Sequence, residues 1–202
     1  MTMRRQWIGL GVVAVITAAV LMVRAVTTEA EPQPATVIDS AVPIEIAVSR
    51  FRETIPEPAP VDLDGASSRD ALVAGFLDAL EQNDIPALNR LLISRAEFAY
   101  LYFPSSIYMN RPYQQDPSLV WFMMVNNSER GLRRVLTRDG GRPLGIRGYR
   151  CPEEPLIEGE NRIWRDCVLL GTRDGAPIER RLFGAIIERN QRAKFLTYTS
   201  EY

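Results

Sequence analysis

The chain has 202 residues and a formal net charge of −1, so it carries no overall attraction for nucleic acid. Its content of 46% hydrophobic and 24% charged residues is that of an ordinary globular chain with room for one domain. Histidine is absent and cysteine occurs twice, which excludes Ser-His and Cys-His nucleophile pairs and a cysteine-only zinc site. Lys194, on a predicted strand near a turn, is the one lysine available for Schiff-base chemistry.

In chain order, Arg4 and Arg5 precede an uncharged run at residues 7–23, about 26 Å long as a helix. Residues 1–26 read as a transmembrane anchor with a cytoplasmic N-terminus, or as a cleavable signal peptide, since Val23-Arg24-Ala25 and Thr28-Glu29-Ala30 are passable cleavage sites. Both readings put the rest of the chain on the exported, periplasmic or extracellular side. The run 27–66 has the Pro- and Glu-rich composition of a linker. Within it, Ile44, Val48, Phe51 and Ile55 recur at helical spacing and predict a short amphipathic helix at 43–55, docked on its own domain or on the membrane. Pro56, Pro58 and Pro60 end it.

The globular domain is expected at 67–202. Ser67 and Asp70 fit a capping box before a helix whose apolar stripe is Leu72, Val73, Phe76, Leu77 and Leu80. Asp84 and Pro86 open a short second helix through Leu92. Ser94 and Glu97 repeat the capping-box spacing, and Pro104 closes that segment. Asp116-Pro117 caps an apolar stretch at 119–125 that is expected to be buried. Helix is expected to restart at Ser128 and stop at Gly140-Gly141.

From residue 143 the pattern becomes that of an antiparallel meander of about four strands. Asp174-Gly175 is a strong two-residue hairpin signal, and Asn190-Gln191 is a weaker one. Two-residue turns pair Asp166 with Phe183, and Phe183 with Tyr198. One face then carries Trp164, Asp166, Val168, Leu170, Phe183, Ala185, Ile187, Leu196 and Tyr198; the other carries Cys167, Leu169, Leu182, Ile186 and Phe195. Both faces are apolar enough to need a cover. Helices first and a curved sheet last predict an α+β domain.

This order resembles the nuclear-transport-factor-2-like, or SnoaL-like, superfamily of cone-shaped folds over residues 67–202. The opening helix from Ser68 to Asp84, the short helix from Ile85 to Leu92 and the long terminal strands carry the resemblance. The short strand that such folds often place after the second helix is not evident, because 94–103 reads as helix. The resemblance implies a fold with a possible pocket and no particular activity.

Three constellations carry possible chemistry. Asp166, set by that register among Trp164, Val168, Phe183 and Tyr198, would have a raised pKa suited to proton transfer, with Tyr198 or Tyr100 polarising a substrate oxygen. The competing reading is an Asp at the sheet margin paired with Arg150 or Arg181. Tyr100, Tyr102, Trp121 and Trp164 line a ligand pocket or belong to the core. Arg130, Arg133, Arg134 and Arg138, with Arg142, Arg147 and Arg150 beyond them, form an anion patch for phosphate, lipid headgroups or an acidic partner, or a solvated helix face. Cys151 and Cys167, symmetric about Gly159, are expected to form a disulfide in an exported compartment.

The sequence therefore predicts an envelope module, anchored through residues 7–23, that binds a small ligand or a partner protein without catalysis and without a cofactor or metal. The alternatives are a small-substrate isomerase or hydrolase using Asp166, and a scaffolding protein.

Overall fold

The structure, a computed structural model, describes residues 42–198. The apolar run at 7–23 and most of the linker lie outside the described residues. No helix among the described residues is long and apolar enough to cross a membrane.

The first described helix, α1 (Ile44–Glu53), buries Ile44, Ala47, Val48 and Phe51 against its own domain. The compact unit runs from Val42, so the boundary expected at Ser67 moves upstream and α1 leaves the linker. Helix α2 (Arg69–Glu81) is capped by Ser68, one residue later than expected, whose Oγ accepts the Ala71 N–H. Helix α3 (Ile85–Arg90) is capped by Asp84. The Ser94–Glu97 capping box opens α4 (Arg95–Glu97), which continues as a π-helical turn (Phe98–Tyr102) and a 3-10 turn (Phe103–Ser105). That segment is apolar almost all round and is buried for that reason. Helix α5 (Pro117–Asp139) is one continuous helix, with no restart at Ser128, and Gly140 ends it.

Seven antiparallel strands follow. β1 (Ile146–Arg150), β4 (Val168–Arg173) and β5 (Ala176–Arg180) form one sheet; β2 (Leu156–Glu158), β3 (Asn161–Trp164), β6 (Ile186–Arg189) and β7 (Arg192–Phe195) form the other. The two sheets are one meander whose first three strands each break in the middle. Asp174 and Gly175, at φ 50° and 78°, make the two-residue turn that sets Arg173 opposite Ala176. Asn190 and Gln191, at φ 46° and 62°, do the same for Arg189 and Arg192. Both turn registers match the sequence reading. The ladder between them does not run through: β4–β5 pairs Leu169 with Arg180, whereas β3–β6 pairs Trp164 with Ile186, one residue out of phase. The extra residue lies between Arg181 and Ala185, opposite Asp166, whose φ is 57°. Pro152 and Pro155 interrupt the neighbouring strand, where a missing N–H cannot complete a ladder.

The break changes which side chains share a face. Trp164, Phe183 and Tyr198, expected opposite Cys167, Leu169, Leu182, Ile186 and Phe195, join them in one core under α2. Ile163, Ile187 and Leu196 enter a second core, covered by α1 and the 96–103 segment. Both faces of the four-stranded sheet are thus covered, and a chain of aromatic contacts through Phe76, Phe183, Phe195 and Tyr198 fills the first core. The disulfide between Cys151 and Cys167 continues the β1–β4 ladder one step past Arg150 and Val168, with Cα atoms 4.1 Å apart. It clamps the first hairpin where the meander changes sheet.

Candidate functional site

The connection from α3 to α4 is held to the edge of β7. Ile93 N–H donates to Phe195 O, Phe195 N–H donates to Leu91 O, and Leu92 makes a parallel bridge to Phe195. This edge and the middle of α5 are the walls of a groove of about 370 Å³. Trp121, Met124, Leu132 and Leu196 supply apolar surface, while Asn89, Ser94, Arg95 and Glu129 supply the polar rim. Arg95 is fixed from behind: its guanidinium donates to Thr54 Oγ1 at 2.8 Å and lies 4.8 Å from the centre of the Phe51 ring. An apolar floor with one fixed cation and one carboxylate on the rim suits a small amphipathic ligand or an apolar side chain of a partner.

On the other side of the same connection lies a depression of about 520 Å³ lined by Asp64, Arg90 and Lys194 among others. Lys194 Nζ is 3.0 Å from Glu97 Oε2, and both side chains are buried. Glu97 also accepts the backbone N–H groups of Asp64 and Ser94, each at 2.7 Å. The ammonium group is thereby committed to a buried ion pair that ties β7 to α4 and the 62–66 strap.

The residues expected to line a pocket, Tyr100, Trp121, Trp164, Asp166 and Tyr198, do not converge. Asp166 is exposed, its side chain 64% accessible, and its carboxylate accepts from Arg181 at 3.1 Å. Its own left-handed backbone, at φ 57°, turns it out of the sheet at the strand break, so it is not buried among Trp164, Phe183 and Tyr198. It lies instead on an open surface depression with Arg165 and Arg181. Trp164 is buried; its Nε1–H donates to Glu188 and the Arg69 guanidinium covers the ring at 3.7 Å. Tyr198 is fully buried and donates its hydroxyl to Leu88 O at 2.6 Å, so burial raises its pKa. Tyr100 lies under Arg52, 4.6 Å from its ring centre. Of the five, only Trp121 lines the groove.

The expected anion patch is on the outer side of α5. Arg130, Arg133 and Arg134, with Thr137, line an open concavity of about 400 Å³. Arg138 departs from the group by pairing with Asp139 at 3.2 Å. Asp139, 1% exposed, also receives two hydrogen bonds from Arg180 and lies 3.5 Å from Arg173. Burial pushes the Asp139 carboxyl pKa up, but hydrogen bonds and charge from Arg180 and Arg138 outweigh it and hold it below the ordinary value.

Sequence reasoning passed over Glu158. It sits at the end of β2, 5% exposed, and neither carboxylate oxygen has a well-formed hydrogen bond among the described residues. Burial raises its pKa, opposed by the Arg165 charge and a looser approach of the Ile107 amide. Tyr102, buried nearby, is raised by burial and then by the Glu158 charge. No spacing signal marks Glu158, since it reads as an ordinary turn-flanking acid before Gly159-Glu160.

Compared with family models, with curated proteins and with solved structures, the chain finds no match in any of the three. Its site is read from its own geometry.

Proposed function

We propose that this chain is an envelope module, tethered through residues 7–23 and exported beyond them, that binds a small amphipathic ligand or partner segment without transforming it. The groove between α5 and the 89–95 connection carries this reading, because it joins apolar floor and fixed polar rim, and its two serines are engaged with the backbone: Ser94 Oγ accepts the Glu97 N–H and Ser128 Oγ the Tyr198 N–H. The exposed, paired state of Asp166 takes away the acid on which an isomerase or hydrolase reading depended. The fold is proposed to be a cone-shaped, nuclear-transport-factor-2-like domain. The bent meander supports that, as does the parallel bridge at Leu92, which stands where a short strand after the second helix would lie.

Fluorine NMR of the chain labelled with 5-fluorotryptophan tests the binding reading. Its three tryptophans, Trp7, Trp121 and Trp164, give separate reporters. Titration with decanoate, an apolar chain bearing one anion for Arg95, is expected to move the Trp121 resonance saturably and leave Trp164 in place. No movement of Trp121, or equal movement of both, contradicts the groove as the binding site.

A further inference from the structure

The apolar stretch at 119–125 is not buried as a block. Val120 is 1% exposed, but Leu119 is 50%, Phe122 63% and Met123 38% exposed. At 100° per residue Leu119, Phe122 and Met123 fall on one line along α5, and Arg130, Arg133, Arg134 and Thr137 continue that same line toward the C-terminus. The line contains no acid, and among the described residues neither Arg133 nor Arg134 forms an ion pair; both line the open concavity.

We propose that this outer face of α5 docks on an anionic lipid surface. Three apolar side chains enter the boundary between headgroups and acyl chains, and three guanidinium groups about two to three turns beyond Met123 meet lipid phosphates. Charge complementarity selects the lipid, because large exposed apolar groups beside unpaired arginines favour a surface that is both oily and negative. Chain connectivity agrees. Helix α1, where the chain enters the domain, packs on α5, and residues 24–41 span at most about 60 Å when extended. The connectivity argument rests on the proposed anchor at 7–23; the composition of the face does not. The groove on the opposite flank of α5 stays open when the outer face is docked.

The test uses the full chain in nanodiscs of phosphatidylcholine alone or mixed with phosphatidylglycerol. Phenylglyoxal modifies accessible arginines and peroxide oxidises accessible methionines, both read by mass spectrometry. Each basic side chain near an anionic surface contributes a factor of about five, so modification of Arg133 and Arg134 is expected to fall about fivefold in the anionic discs. Met123 oxidation is expected to fall with it, while the exposed Arg142 and Arg147 are unchanged. R133E/R134E, at exposed positions, is expected to abolish the protection of Met123. Equal modification in both discs overturns the proposal. So does arginine protection without Met123 protection, which marks ion condensation only. Equal protection by inorganic phosphate in neutral discs marks a phosphate site, and concentration-dependent protection of Met123 in detergent marks a second copy; each overturns it too. Retention on the neutral discs reports on residues 7–23 separately. A chain that leaves neutral discs but stays on anionic ones contradicts the anchor and supports the docking face.

Discussion

Replacing Asp139 with Asn should reveal how strongly the end of α5 is pinned to the small sheet. The native carboxylate is 1% exposed and accepts two hydrogen bonds from Arg180, at 2.6 and 3.3 Å. Arg138 and Arg173 are about half exposed, so solvent screens them and they add little. Most of the loss therefore comes from leaving the Arg180 guanidinium, 15% exposed, without its counter-charge. Breaking such a pair costs about 3 kcal/mol, which for a domain of this size lowers Tm by roughly 6–12 °C. The pH dependence has a definite sign. The folded pKa of Asp139 is lowered, so its contribution is fully present above the ordinary carboxyl pKa and disappears as pH falls through the folded value. Thermal melts of wild type and D139N should therefore differ by the full amount at pH 7 and converge in acid. A difference below about 1 °C at pH 7 refutes the pinning argument, and a difference that persists unchanged in acid refutes its electrostatic origin.

Other substitutions probe separate parts of the architecture. The double variant C151S/C167S should lose about 3 kcal/mol in chemical denaturation, because the bond closes a sixteen-residue separation at the change of sheet; an unchanged midpoint removes that role. K194M leaves Glu97 buried with only backbone donors and should cost about 3 kcal/mol, with E97Q/K194M recovering part of it. E158Q should instead stabilise the protein by about 1 kcal/mol at pH 7, since both wild-type oxygens are buried without a well-formed hydrogen bond and the charge is opposed only by Arg165 and the loose Ile107 amide. The raised folded pKa of Glu158 means that its favourable contribution is present below the unfolded pKa and lost as pH rises through the folded one, so the gain from E158Q should grow from acid to neutral pH. Y198F removes the hydroxyl bonded to Leu88 O and should cost about 1 kcal/mol by denaturant titration.

How far the sequence could be read follows from which features are local. The turns at Asp174-Gly175 and Asn190-Gln191 set their registers within a few residues, so both ladders came out as expected. The capping box at Ser94 and Glu97 and the cap at Asp84 are equally local. The bulge opposite Asp166 is not. It depends on how a strand bends between two cores, and one residue of slip moved Trp164, Phe183 and Tyr198 to the opposite face and turned Asp166 outward. The chemistry assigned to Asp166 rested wholly on that register. The stretch at 119–125 failed for a related reason: an apolar run shows that contacts are wanted, but α5 offers the domain one face only, and Leu119, Phe122 and Met123 lie on the other. The groove needed three segments brought together from distant parts of the chain, and of its lining Trp121 alone had been read as a candidate pocket residue.

Hydrogen exchange of the full chain in neutral nanodiscs, with and without saturating decanoate, tests the binding account most directly. The account predicts slowed exchange confined to the 89–95 connection and the 121–132 part of α5, where the groove walls lie. Protection spread evenly over the domain, or confined to the exposed depression around Asp166 and Arg181, contradicts it.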